Sequence, residues 1–259
     1  MTWQRTIILL AALALAAATG RLGIWQLDRA AQKTALQAAI DARGAMPALV
    51  PAELALSVAQ ASAQHHRRIT LAGEWVPDAT VYLDNRQMNG RPGFFVITPL
   101  RLADGSAVLV QRGWQPRAFT DRARVVAPRP APGVVSVVGR ISPPPARLYE
   151  FDAAASGAIR QNLDIGAFAS ETGLRLRPLS VLQIDDSADT TLGTAASAAA
   201  DGTATTTADG LQRNWPRAVA DVQKHDGYAF QWFALSALTI GLYVWFQLIQ
   251  PRRRAANAG

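Results

Sequence analysis

The chain has 259 residues, a formal net charge of +7 and no cysteine. The lack of thiols excludes a thiolate copper site, a redox cysteine pair and a disulfide framework. Arginines in the central part are scattered singly, without the clustered cations and stacking aromatics of a nucleic-acid site, so no nucleic-acid partner is expected. There is no Gly-x-Ser-x-Gly elbow, phosphate loop or dinucleotide fingerprint, and we therefore expect a protein that is not an enzyme.

The first predicted element is a membrane helix. Ile7–Thr19 is uninterrupted apolar sequence, and the pattern continues past Arg21 to Trp25. We place a transmembrane helix at residues 6–25, after a cytoplasmic segment at 1–5, because about 20 apolar residues in a helix span a bilayer core. The alternative is a cleaved signal peptide with its cleavage zone at Ala16–Gly20. Trp3 and Trp25 at the two interfaces favour the retained helix.

A second membrane helix is predicted near the C-terminus. Residues 229–249 carry no charged side chain and are followed by Pro251 and by Arg252–Arg254. Arg5 and this arginine run predict that both termini, including the basic tail at 250–259, lie in the cytoplasm. The central domain then faces the periplasm, and we expect a multi-pass protein of a bacterial inner membrane.

Between the spans the pattern changes from helical to extended. Residues 26–63 predict a helical connection, with helices at Gln26–Arg43 and Pro51–Ala63. Residues 64–189 predict a β domain with one short helix at Ile165–Thr172. The predicted strands are at 67–75, 79–86, 94–102, 106–114, 134–142 and 178–186, with a connecting loop at 84–93. The predicted fold class is an α+β membrane protein with an antiparallel β-sheet or small β-barrel.

The remaining segments are connections. Residues 190–210 are rich in Ala, Thr and Gly and have almost no large apolar side chain, so they predict a disordered insertion. Residues 211–228 form the approach to the second span.

Several short motifs occur in a fixed order along the chain. Gly23–Arg29 closes the first span, and Pro92–Leu100 precedes a hairpin at Gly105. Val110–Trp114 and Val138–Arg140 follow on later strands, and residues 225–233 open the last span. Each motif is short, but their order between two terminal spans closely resembles the surfeit-locus-one family, membrane-anchored assembly factors of cytochrome c oxidase. The resemblance covers nearly the whole chain apart from residues 190–210.

The resemblance implies a function. Members of that family are similar to receivers or holders of haem a, with a histidine at the start of the second span as axial ligand of the haem iron; the matching residue here is His225. The implied partners are haem a synthase, the catalytic subunit of an aa3-type oxidase and the lipid bilayer. The family usually shows Asn-His-Leu before the tyrosine, whereas this chain has Lys224-His225-Asp226.

The residues around His225 suit such a role. On a helix, spacings of three and four place His225, Tyr228, Ala229, Trp232 and Ser236 on one face. A neutral imidazole can bind haem iron, and the aromatic and small side chains leave room for a flat macrocycle. We also expect Trp25, Gln26 and Arg29 to face His225 if the spans pack, with Arg29 or Arg21 paired to haem propionates.

Less specific readings stay open from the sequence alone. His225 could be an interfacial histidine above an aromatic belt, and Arg29 a cation that reaches the headgroups. The protein could be a cofactor-free scaffold for an assembly intermediate, or a membrane-bound enzyme of unknown type.

His65 and His66 are adjacent, so their side chains diverge and make a poor metal pair. Arg112-Gly113-Trp114 reads as a fold element, with docking on the oxidase as the alternative.

Overall fold

A computed structural model describes residues 3–117, 125, 130–148, 157–184, 209–216 and 222–256. The chain divides into two compact units. One contains the two ends of the chain, Met1–Ala39 and Arg217–Gly259, and the other is Ile40–Pro216. The predicted insertion at 190–210 lies outside the described residues except for its last two, so its disorder stays a prediction.

The described part of the chain contains five α-helices and seven β-strands. The helices are α1 (Trp3–Gly44), α2 (Val58–Gln64), α3 (Ile165–Thr172), α4 (Val222–Val244) and α5 (Gln250–Ala256), with a π-turn at Trp245–Ile249 between the last two. The strands are β1 (Arg68–Trp75), β2 (Val81–Met88), β3 (Arg91–Leu102), β4 (Ala107–Pro116), β5 (Val134–Ser142), β6 (Ile159–Arg160) and β7 (Leu176–Gln183).

Two helices are long and apolar enough to cross a membrane. They are α1 and the helix that runs from Val222 to Arg254 through the π-turn. The predicted first span and the predicted helix at Gln26–Arg43 form one uninterrupted helix, because no proline or turn dipeptide separates them. By length and composition both helices match the two predicted spans, while the side of the membrane on which each end lies stays a prediction.

The strands form one seven-stranded mixed sheet in the order β1-β5-β7-β4-β3-β2-β6, with a further pairing between β1 and β3. The prediction of a purely antiparallel sheet is wrong, because β4 pairs with β7 and β2 with β6 in parallel. Parallel neighbours need a long crossover, and the chain between β4 and β7, which contains β5, β6 and α3, supplies one. β6 was not predicted, since two residues carry no period.

The loop predicted at 84–93 is mostly strand. β2 continues to Met88 and β3 starts at Arg91, so the turn is only Asn89-Gly90, with φ values of 51° and 73°. Two residues at positive φ are typical of a type I′ hairpin turn, which matches the twist of the strands it joins. Gly93 lies inside β3, where an added Cβ would be 2.2 Å from the carbonyl oxygen of Gln115.

Alternation of side chains builds two apolar clusters. Ile69 and Leu71 of β1 are buried, whereas Thr70 and Ala72 are exposed. The two buried residues pack in a cluster completed by strands β3, β4, β5 and β7 and by Leu54 and Ala55. Val81 and Leu83 of β2 belong to a second cluster with Phe168 of α3. The predicted helix Ile165–Thr172 is confirmed; Asp164 caps its N-terminus and Gly173 ends it with φ 68°.

A buried arginine ties the segment before α2 to the sheet. Arg177 of β7 donates from Nη1 to the carbonyl oxygen of Leu54 (2.9 Å) and from Nε to Ser106 Oγ (3.0 Å). It also pairs with Asp104 at 2.5 Å. Hydrogen bonds from Ser106, and then the charge of Arg177, hold the pKa of Asp104 below its ordinary value. Leu54 is only 2% exposed, so without Arg177 its carbonyl oxygen would be buried with no hydrogen-bond donor.

Candidate functional site

The two apolar helices contact one another in an antiparallel arrangement. Ser236 Oγ donates to the carbonyl oxygen of Ala16 at 2.9 Å. One turn farther along α1, Gly20 faces the same hydroxyl, and Gly23 then faces the ring of Phe233. Higher residue numbers in α1 therefore lie opposite lower numbers in α4. Residues without bulky side chains let the helix backbones approach, as is common between helices in membranes.

The least exposed residues of each helix recur at spacings of three and four. In α1 the buried residues include Ala16, Thr19 and Gly23. In α4 Ala229 is buried, while His225, Trp232 and Ser236 are half-buried. Such a pattern defines one face of each helix. Four of the five residues predicted to share one face of α4 are thus buried or half-buried, whereas the fifth, Tyr228, is exposed.

His225 makes a specific contact at one end of this pair. Its Nδ1 lies 2.7 Å from Oε1 of Gln26 in α1. Because an amide oxygen only accepts hydrogen bonds, this contact is a hydrogen bond for the tautomer that carries its proton on Nδ1. The lone pair of the neutral ring is then on Nε2, the nitrogen that Gln26 does not engage. Histidines that bind metals commonly donate their other ring N–H in this way, which fixes both tautomer and orientation.

The other predicted site residues differ in position. Tyr228 is 51% exposed and Trp25 is 53% exposed, so both rings are largely at the surface of the helix pair. Arg29 is exposed and donates to Oε1 of Gln32 at 3.2 Å. The structure thus joins His225 to Gln26, which the prediction placed nearby without a role. The sequence feature that pointed to Gln26 was its position in the motif Gly23–Arg29, which closes the first span.

The chemistry of the donor set limits what His225 could hold. Among the described residues no group of three or more His, Cys, Asp or Glu side chains could hold a metal ion. A bare ion needs such a set, whereas haem iron receives four ligands from its own macrocycle and needs one or two from the protein. The imidazole of His225, with the buried Ala229 and the half-buried Trp232 on the same helix face, could supply one such ligand.

His65 and His66 belong to the fold of the sheet unit. Their rings lie 6.2 Å apart in an edge-to-face arrangement, and the backbone N–H of His66 donates to the carbonyl oxygen of Ile141. Burial is the main cause that lowers the pKa of both rings, and the next cause is the positive charge of Arg43 for His65 and of Arg140 for His66. Both imidazoles are thereby held toward the neutral form.

The Arg112-Gly113-Trp114 motif anchors the chain segment that precedes the last helix. Trp114 is fully buried, and its backbone N–H and carbonyl both bond to Gln212. Arg112 lies 5.3 Å from the ring centroid of Trp75 and 3.6 Å from Asp209. At Gly113 an added Cβ would be 2.7 Å from that of Leu211. These contacts support the reading of the motif as a fold element.

Comparison with known proteins assigns the family. A family model described as the SURF1 family matches residues 13–237, which is most of the chain. The chain belongs to the SURF1 family. The matched range includes the first apolar helix from Leu13, the whole sheet unit and the last helix through Ala237, so the resemblance seen in the motifs is confirmed.

Individual SURF1 relatives match over shorter stretches. A SURF1-like protein of Rickettsia felis is 30% identical over 40% of this chain and 43% of its own length. A SURF1-like protein of Rickettsia conorii is 30% identical over 36% of this chain and 37% of its own. The cytochrome oxidase assembly protein SHY1 of Saccharomyces cerevisiae is 30% identical over 36% of this chain and 24% of its own. The chain thus spans less than half the length of these curated relatives.

Proposed function

We propose that this SURF1-family protein is an assembly factor for an aa3-type haem–copper cytochrome oxidase, and that it holds haem a through His225 before the haem enters the catalytic subunit. The family match and the name of the yeast relative, a cytochrome oxidase assembly protein, support the first half. The second half rests on one observation, the 2.7 Å contact between Nδ1 of His225 and Oε1 of Gln26.

That contact prepares the ring as a ligand. With its proton held at Nδ1, the imidazole offers the lone pair of Nε2 without first having to rotate or exchange tautomers. His225 lies four residues before the apolar run that starts at Ala229, about 6 Å along the helix. A ligand there would receive a lipophilic cargo at the membrane surface rather than in bulk water.

The neighbouring residues have supporting roles in the proposal. Ala229 lies four residues after His225, and Trp232 lies three residues after Ala229, so both share its helix face and would border the macrocycle. Tyr228, Trp25 and Arg29 would lie at its rim, where the guanidinium of Arg29 could release Gln32 and pair with a propionate. Once delivered, haem a supplies the oxidase with its electron-transfer and oxygen chemistry.

The proposal includes a location. Both termini would lie in the cytoplasm of a bacterial cell and the sheet unit in the periplasm, because Arg5 and Arg252–Arg254 flank the two apolar helices at the same end. In this orientation His225 is at the outer surface of the inner membrane. Haem a synthase would supply the cargo within the membrane, and the catalytic subunit would receive it.

The test is a pigment measurement on the full chain. We would co-express the protein with the enzymes of haem a synthesis, purify it in detergent and record its absorption spectrum and haem-to-protein ratio. His225→Ala should lose bound haem. The matched control is His65→Ala, which removes another half-buried imidazole from a different unit and should leave the haem content unchanged.

The outcomes separate the alternatives. If the wild-type protein carries haem and His225→Ala carries as much, His225 is not the ligand. If neither carries haem and oxidase assembly in cells is unaffected by His225→Ala, the protein is a cofactor-free scaffold. Loss of haem from both His225→Ala and His65→Ala would point to general instability rather than ligation.

A further inference from the structure

The end of the helix pair opposite His225 carries cations that take no part in the proposed haem site. Three consecutive arginines, Arg252–Arg254, follow Pro251, and all three side chains are exposed. The guanidinium carbon of Arg253 lies 5.4 Å from the ring centroid of Trp245, which is itself 44% exposed. A guanidinium stacked on an indole has its face covered while the N–H groups at its edge still point outward to donate hydrogen bonds.

The stack depends on a local change in helix geometry. In an uninterrupted α-helix, residues eight apart lie about 80° apart around the axis. Here the backbone forms a π-turn at Trp245–Ile249, in which the N–H of Gln250 donates to the carbonyl oxygen of Trp245. A wider turn holds more residues, so it rotates Arg253 back toward the face of Trp245. Pro251 follows directly and favours this irregularity, because it has no N–H to donate.

Antiparallel packing brings a fourth cation to the same end. Measured from the contact between Ala16 and Ser236, Arg5 lies about 16 Å away along α1, and Arg252 about 24 Å away along α4 in the same direction. No Asp or Glu occurs in residues 1–27 or 227–259. Four guanidinium groups therefore lie near one end of the pair, and neither helix supplies a carboxylate to neutralise them.

We propose that this end of the helix pair binds the phosphate groups of anionic phospholipids, with Arg253 on Trp245 at its centre and Arg5, Arg252 and Arg254 around it. Guanidinium matches phosphate in a bidentate geometry. A lipid fits better than a free anion because apolar side chains that could contact acyl chains are exposed beside the cations. Phe246 is 52% exposed and Leu248 is 44% exposed.

The experiment measures which lipid lies beside Trp245. The full chain would be placed in nanodiscs that contain phosphatidylcholine and phosphatidylglycerol, with a bromine-labelled acyl chain on only one of the two. Bromine quenches indole fluorescence at contact, and the difference between the wild type and Trp245→Phe isolates the signal of Trp245 from the other six tryptophans. We expect phosphatidylglycerol to be enriched about fivefold for each arginine engaged, with the enrichment falling at high salt.

Arg253→Lys is the decisive variant, because it keeps the charge while it removes the bidentate fork and the stack. It should lower the enrichment several-fold, whereas Arg252→Lys, a neighbour without the stack, should change it little. Equal quenching by the two labelled lipids in the wild type would overturn the proposal, as would full enrichment in Arg253→Lys. Loss of the enrichment on addition of inorganic phosphate at constant ionic strength would also overturn it, because the site would then bind a free anion.

Discussion

Gly23 controls how closely the two apolar helices approach at the level of the candidate site. A Cβ added there would lie 2.7 Å from Cε1 and 2.8 Å from Cζ of Phe233. Carbon atoms in good contact are about 3.5–4.0 Å apart, so the overlap is about 1 Å. Valine at this position would extend the overlap with two more methyl groups, and the helices or the ring would have to move.

The consequence should reach His225. Gly23 is one turn from Gln26, and a separation of about 1 Å would lengthen the 2.7 Å contact to about 3.7 Å, beyond hydrogen-bonding distance. Overpacking costs about 1–3 kcal/mol and the lost hydrogen bond about 1 kcal/mol. A total of about 2–4 kcal/mol corresponds to about 30-fold to 1,000-fold weaker haem retention by Gly23→Val.

Two readouts check the reasoning. The chain has no cysteine, so the double variant Ala16→Cys and Ser236→Cys provides a clean cross-linking probe of helix contact. The control is Gly241→Val, since an added Cβ there meets no atom within 4 Å. Gly23→Val should lose both cross-linking and bound haem, and Gly241→Val should keep both. If Gly23→Val retained both at the control level, helix approach would not be what orders His225.

Three further predictions concern the sheet unit. Arg177→Ala should lower the free energy of unfolding by about 2 kcal/mol in denaturant titration, because it leaves the carbonyl of Leu54 without a donor; an unchanged midpoint would contradict this. Gly139→Ala should destabilise by about 3 kcal/mol, since its Cβ would be 2.3 Å from Val181 Cγ1, and a wild-type melting temperature would refute the strand packing. In the folded protein His65 and His66 have pKa values below the ordinary 6.5. As the pH falls, the unfolded chain therefore binds protons at a higher pH than the folded protein does, and this favours unfolding. The melting temperature should therefore drop as pH falls through 6.5, and His65→Gln with His66→Asn should flatten the dependence; an equal slope in both proteins would show that other groups cause it.

The sequence predicted the secondary structure well where apolar and polar residues alternate regularly. Alternation placed β1 and β2, and the predicted helix at Ile165–Thr172 is present. The two apolar helices were evident from length and composition. The prediction of a turn at Pro92-Gly93 was wrong. A proline followed by a glycine is typical of a turn, but here both residues pair with β2 inside a strand.

Other features depend on partners distant in the chain. The parallel pairing of β4 with β7 joins segments about 70 residues apart, and no local pattern encodes it. The site shows the same limit. The spacing rule put His225, Ala229 and Trp232 on one face, but the partner of the imidazole is Gln26, 199 residues away. Which of the residues closing the first span would face His225 depends on helix rotation, and the structure turns Gln26 inward and leaves Trp25 exposed.

The central claim is that the imidazole of His225 binds the iron of haem a. It is tested most directly by replacing the ring with a free one. His225→Gly, purified after co-expression with the haem a synthesis enzymes, should contain little haem, and imidazole in the growth and purification buffers should restore the wild-type spectrum and haem-to-protein ratio. A His225→Gly protein that holds haem equally with and without imidazole would contradict the account, as would a wild-type protein that carries none.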